Sequence, residues 1–351
     1  MKKIIFLFTM ILGSVMVYAQ SPNLKEVTAL QVFFNQPSAD GSTNAQALGL
    51  DLQNPSTWTG VTWAGGHVTS IDWKDKKLCG MLNLGGFKML QKVDVSRNQL
   101  TGLSVNDCVA LSELNANRNR LTQLNVDGCT VLAKLSVYHN RLLDLEFSGT
   151  PMLVNVNVSA NHLINLNVSN AMNLATLNCQ SNQLEMLQVS GCTALKHLYA
   201  GYNKLTSVNL FGLDNLLTLN LDGNEINSMY MQGLPALLTL LCSDNNMTSL
   251  VIKDCSNLED LVCSYNRLTT LEVTGNSKLM FVDCSYNDLG SLNLSDQPFL
   301  QRLLCNNNMI TQLDVSYDTQ LTYINCRYNQ IFNMYTIGCD NLRMVASQWN
   351  P

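Results

Sequence analysis

Charge is scarce in this chain. Only 13% of its 351 residues are Asp, Glu, Lys or Arg, about half the usual share of a soluble domain. With 21 Lys+Arg against 26 Asp+Glu, there is no basic excess to hold a nucleic acid. Long apolar runs are missing beyond the first twenty residues, because polar residues interrupt every leucine-rich stretch before it reaches the roughly 18 residues of a membrane span. No HExxH, GxSxG or P-loop pattern occurs, and the histidines are only His67, His139, His162 and His197, so no familiar hydrolase or phosphate-binding chemistry is signalled. Disorder is excluded too: 46% of the residues are hydrophobic and the net charge is only -5, a balance that favours collapse. What the chain has in excess is Leu and Asn, 58 and 42 residues, more than a quarter of the total.

The opening twenty residues have their own layout. Lys2 and Lys3 precede an apolar run from Ile4 to Val17, with Val17 and Ala19 at the -3 and -1 positions of a cleavage site before Gln20. This predicts a signal peptide over residues 1–19 and an exported protein, the run being too short to span a bilayer. No Cys follows the site to carry a lipid.

The excess of Leu and Asn comes from a repeat. Stepping by 21 gives Asn98, Asn119, Asn140, Asn161, Asn182, Asn203, Asn224, Asn245, Asn266, Asn287, Asn308, Asn329 and Asn350; eight residues before each stands a Leu, from Leu90 to Leu342 without exception. The consensus is LxxLx(V/C)xxNxLTxLxVxxCxxL. Each unit holds two short alternating segments, exemplified by Leu261–Cys263 and Leu268–Val273, whose period of two puts Leu, Val and Cys inward. One unit cannot bury its apolar face alone, so the units stack into a solenoid. At a fixed inward position the Asn amide bonds the backbone of its own and the next coil.

LxxLxxxxNxL is the signature of leucine-rich repeats, and a 21-residue unit whose second half again reads LxxLxV resembles the short bacterial class called IRREKO. The match is tight over 90–351 and looser from about 68. The resemblance implies a β-rich, right-handed leucine-rich-repeat solenoid of about thirteen coils over 68–351, roughly 60 Å long at about 4.8 Å per coil. Its first segments form a parallel concave sheet, with little helix outside an N-terminal cap. Residues 20–67 are read as that cap. Leu24, Val27, Leu30, Val32 and Phe33 fall near helical spacing, and QPSADGSTNAQ reads as a loop. Trp58, Gly60, Val61, Val68, Ile71 and Trp73 resemble the cap of plant-type leucine-rich-repeat proteins. Ser56 and Trp63 stand where that family has two cysteines, so the usual disulfide is absent and Trp63 packs in its place.

Eleven of the twelve cysteines fall in two repeat columns, Cys108, Cys129, Cys192, Cys255 and Cys339 in one, and Cys179, Cys242, Cys263, Cys284, Cys305 and Cys326 in the other; Cys79 stands apart. Stacked residues about 4.8 Å apart with parallel Cβ vectors suit a disulfide poorly. A line of thiolates is not a tetrahedral metal site either. These are read as small buried hydrophobes, with no metal and no cofactor. Asp222 with Asp244, and Asp260 with Asp283, would be an acid pair or weak calcium site in one reading and solvated acids in the plainer one; no catalytic residue is expected.

The outward residues of the first segments carry the functional expectation. Tyr202, Tyr265, Tyr286 and Tyr328 precede ladder asparagines, and Tyr199, Phe281, Tyr323, Asp283, Arg302 and Arg327 stand on neighbouring outward positions. Stacked Tyr and Arg provide large contact area at small entropy cost. The expected partner is a protein or peptide on the concave face, in adhesion or cell-surface interaction as the family resemblance implies. A glycan, motivated by outward Asn, Ser and Tyr, and a self-assembling envelope component, joined weakly through an uncapped last coil, are the alternatives.

Overall fold

The computed structural model describes residues 21–351 except 148, 295 and 296; the expected signal segment lies outside the described residues. The chain opens with α1 (Leu24–Phe34). Asn23 starts it by accepting hydrogen bonds from the Lys25 and Glu26 amides. Its inner face buries Val27, Leu30, Phe33 and Phe34. The stretch expected to be a loop ends in a short helix, α2 (Asn44–Leu48), because Thr43 and Gln46 form a reciprocal capping box; Thr-x-x-Gln is a legible helix start. Two strands follow, β1 (Val61–Ala64) and β2 (His67–Asp72), paired antiparallel.

Aromatic rings close this end of the core. Phe33 stacks on Trp73 at 5.8 Å, and Phe34 meets Trp58 edge-on at 4.8 Å. Trp63 leans on Trp58 at 6.2 Å, and Ser56 bonds Asn54 at the surface. The helix is tied to the sheet by Glu26, which is buried and accepts hydrogen bonds from the Val68 amide at 2.7 Å and from His67 Nδ1 at 2.9 Å.

From β2 onward every strand of the main sheet is parallel. The sheet has fifteen strands, β1 included, in unbroken chain order. Asp260–Val262 pairs with Thr239–Leu241 on one side and Phe281–Asp283 on the other, each step 21 residues. The central residue of each strand points inward, and Leu240, Leu261, Val282 and Leu303 are fully buried. The second segments form separate sheets of three, two, three and three strands. Among the described residues pairing lapses around 144–147 and 207–210 and between Thr270–Glu272 and Leu292–Asn293. A side with continuous pairing holds its coils at the ladder spacing, whereas breaks in pairing let the opposite side spread. The solenoid therefore curves toward the main sheet, which becomes its concave face.

The asparagine column is buried and engaged at almost every rung. Asn266 Nδ2 donates to the carbonyls of Cys242 at 3.1 Å and Cys263 at 3.2 Å, while its Oδ1 accepts from the Met247 amide at 3.0 Å. The same pattern recurs at Asn119 and Asn287. The inter-coil bonds run to the preceding coil rather than to the following one expected from sequence. This satisfies backbone groups at a buried bend, where an orphaned one is costly.

Candidate interaction surface

Each main strand of three residues shows two side chains to the concave side, followed by a turn leading to the ladder asparagine. In the strand column that contains Asp260 the order is Lys92, Glu113, Lys134, Asn155, Thr176, His197, Thr218, Thr239, Asp260, Phe281, Arg302, Tyr323 and Met344. Ion pairs tie its first members, Glu113 meeting Lys92 at 3.3 Å and Lys134 at 2.9 Å. Further along, neutral side chains give way to aromatic and charged ones. Phe281, Arg302 and Tyr323 stand in register on three successive strands. The Arg302 guanidinium carbon lies 5.4 Å from the Phe281 ring centre and 5.8 Å from that of Tyr323.

Tyr199 and Asp283 occupy the second concave position of their strands. Tyr199 is stacked on His197, with ring centres 6.3 Å apart. Asp283 is held by its own turn, accepting from the Ser285 amide at 3.0 Å and hydroxyl at 2.6 Å. Arg327 follows the strand Tyr323–Asn325, and its Nε donates to Gln348.

Tyr202, Tyr265, Tyr286 and Tyr328 do not lie in the sheet, where alternation placed them. They sit in the turn after it, with φ of 56°, 52°, 53° and 52°, together with Trp349 at 67°. This is the left-handed region, which costs an ordinary side chain about 1–2 kcal/mol. The turn places these rings on the rim of the concave face. Tyr265 and Tyr286 stack at 4.3 Å, Tyr328 and Trp349 at 5.8 Å. Tyr202 lies against Gly223, where an added Cβ would come within 2.7 Å of the ring. All five rings are at least 43% exposed, so packing accounts for only part of this strained aromatic row.

No family model and no curated protein matches the chain, but solved structures do. It aligns with the functional domain of InlJ from Listeria monocytogenes, described as including a cysteine ladder, at a TM-score of 0.54 and 22% identity, covering 93% of this chain and 64% of that one. The internalin InlF of the same species gives a TM-score of 0.55 at 18% identity, over 93% of this chain and 95% of its own. The leucine-rich effector YopM from Yersinia pestis gives 0.54 at 22%, over 77% of each chain. The fold is a leucine-rich-repeat solenoid.

Within this leucine-rich-repeat solenoid the cysteines are unpaired, and all but Cys79 are buried. Burial pushes the Cys108 and Cys284 thiols up to about 12 and Cys326 to about 11. Such thiols are poor nucleophiles and poor metal ligands at neutral pH. One column does more than fill space. Cys108, Cys129, Cys192 and Cys339 each donate to the carbonyl 24 residues earlier, at 2.8 to 3.1 Å. Asn276, in the same column, does so through its amide at 2.9 Å. The polar members Thr150, Asn276, Gln297 and Asp318 of this column were the readable sign that it hydrogen-bonds.

Among the described residues no group of three His, Cys, Asp or Glu is placed to hold an ion. Burial, and then the nearby Asp244, raise the Asp222 carboxyl, which accepts from the Ser243 amide at 2.7 Å. Burial and then Glu259 raise Asp260. These carboxylates lack a basic partner among the described residues; the ion pairs present there are His67–Glu26, Lys92–Glu113–Lys134 and Lys253–Glu272. Among the described residues no helix is long and apolar enough to cross a membrane.

Proposed function

We propose that this is an exported, noncatalytic recognition protein that holds a protein or peptide along the concave sheet and tyrosine rim, chiefly from Thr239 to Tyr328, in adhesion or cell-surface interaction. The observation that carries the reading is the rim itself. Tyr265 and Tyr286 keep exposed aromatic side chains at φ of 52° and 53°, where Gly223 and Asn307 occupy the same turn in other coils. Arg97, His139, Ala160, Ser181 and Asp244 hold the same φ in other coils, so the turn itself does not call for a ring, and the gathering of exposed tyrosines at this position in the C-terminal half supports their use in contact. A stack of coils also offers a preformed curved surface, so little ordering cost accompanies binding.

The rings favour a polypeptide over a sugar. In the Tyr265–Tyr286 pair the ring planes are within 9° of parallel, so the two rings cover one face of each other. The ring edges and outer faces remain for contact, which suits the mixed polar and apolar groups of a peptide. Asp222, Asp244, Asp260 and Asp283, which have no basic partner among the described residues, add attraction for a cationic stretch of the same partner.

The test is a pull-down from host extracts and envelope fractions with wild-type protein and with the Tyr265→Ala, Tyr286→Ala double variant. A protein captured by the first and lost from the second supports the reading. Equal capture by both refutes it.

A further inference from the structure

Arg302 differs from the other cations of its column. Lys92 and Lys134 share Glu113, whereas no carboxylate among the described residues pairs with Arg302. The nearby Asp283 is occupied by the Ser285 amide and hydroxyl. Elsewhere Arg118 lies over one ring, 5.7 Å from the centre of Tyr138, and donates to its hydroxyl at 3.4 Å, and Arg327 donates to Gln348. Arg302 instead has an aromatic ring on either side, Phe281 from the preceding strand and Tyr323 from the following one, and it remains exposed.

We propose that Arg302 is a specificity-determining clamp that reads a carboxylate on the bound polypeptide, an inference that rests on the concave-face reading above. Rings fix a guanidinium through its faces, which are weakly hydrated, and leave its N–H edge free. That edge carries five donors in a planar fork and matches a carboxylate in a bidentate pair. Because the side chain is held before the ligand arrives, little rotamer entropy is lost on binding. A phosphate dianion has the same planar match but meets a less favourable field, since Asp283 stands on the preceding strand and Asp260 on the one before it. A single negative charge fits better. The same two acids favour a basic residue about 5–10 Å further along the ligand, at the strand spacing. The partner segment is thus extended and carries an acidic residue over Arg302 and a basic one toward Asp260.

The test pans a displayed library of random short peptides on the full chain. Wild-type protein should enrich peptides with an Asp or Glu, and replacing that residue by its amide in a synthetic copy should weaken binding about tenfold, the size of a lost charge-assisted bond. Arg302→Gln should cost a similar factor, and the two changes together should cost little more than either alone. Arg302→Lys, which keeps charge but loses the planar fork, should restore binding only in part. Selected peptides that need Tyr265 and Tyr286 yet are indifferent to Arg302→Gln would overturn the clamp and leave the concave-face reading intact. Peptides that need none of these residues overturn both. Binding to uronic-acid glycans alone, lost with Arg302→Gln, also overturns the proposal, because the reader would then serve a sugar.

Discussion

The phenol rings of Tyr265 and Tyr286 lie 4.3 Å apart on consecutive coils, each carried by a residue in the left-handed region. Strain and stacking oppose one another here, and their sizes are similar. Asn tolerates this region somewhat better than Tyr, so the double replacement recovers a fraction of the about 1–2 kcal/mol that each residue carries, against about 0.5–1.5 kcal/mol lost with the ring pair. Replacing both tyrosines by Asn, the residue that fills this turn at Asn307 with φ of 58°, should leave the thermal midpoint almost unchanged and abolish partner capture. A large fall in stability would mean that the rings serve the fold instead.

The asparagine ladder should show the opposite behaviour. Asn266→Ala removes donors to the Cys242 and Cys263 carbonyls and an acceptor for the Met247 amide. Leaving such groups unsatisfied should cost about 1–3 kcal/mol. Denaturant unfolding checks the loss, and partner affinity measured well below the transition should remain as in wild type.

Thiol chemistry gives a direct count. Eleven cysteines are buried and Cys79 is partly exposed, with burial raising the thiols. A thiol reagent should label Cys79 alone in the native state and all twelve after denaturation. Rapid native labelling of Cys263 or Cys284, identified by mass spectrometry, would contradict the packed column.

Asp318 supplies a pH dependence. It stands in the column where Cys108, Cys129, Cys192, Asn276 and Cys339 donate to a carbonyl 24 residues earlier, it is 1% exposed, and its Oδ2 has no partner. Burial, then the negative charge of Asp314, push its carboxyl up to about 7 from 3.8. The folded protein therefore holds a proton that the unfolded chain releases near pH 4. The sign follows from linkage: this contribution to stability is complete below about pH 4, falls as pH rises, and is gone above about pH 7. Asp318→Asn, which keeps a donor at every pH, should flatten the stability profile between these values. A profile with the same slope in wild type and variant would show that another group is responsible.

The sequence carried the fold because a fixed period turns one chain into aligned columns. Leu261 and its equivalents, read as inward by alternation, are inward. The rim escaped that reading because its column is chemically mixed: Arg97, His139, Ala160, Tyr202, Gly223 and Asp244 all occupy the same left-handed turn, so neither hydropathy nor glycine marks it. The direction of the Asn266 bonds was equally hidden, since an inward amide is compatible with either neighbouring coil. Helix α2, in contrast, had its signal in Thr43 and Gln46. The Phe281–Arg302–Tyr323 sandwich was half legible, the 21-residue step placing the three side by side while the ring contacts depend on side-chain torsions.

The concave side of the C-terminal half is the proposed contact surface. Photoreactive benzoylphenylalanine placed at Phe281, and separately at Leu143 outside the main sheet, where the native residue is 62% exposed, tests this even while the partner is unidentified. After irradiation in host or envelope extracts, the account predicts a discrete protein adduct from position 281 and none from position 143. An adduct from 143 alone would contradict it.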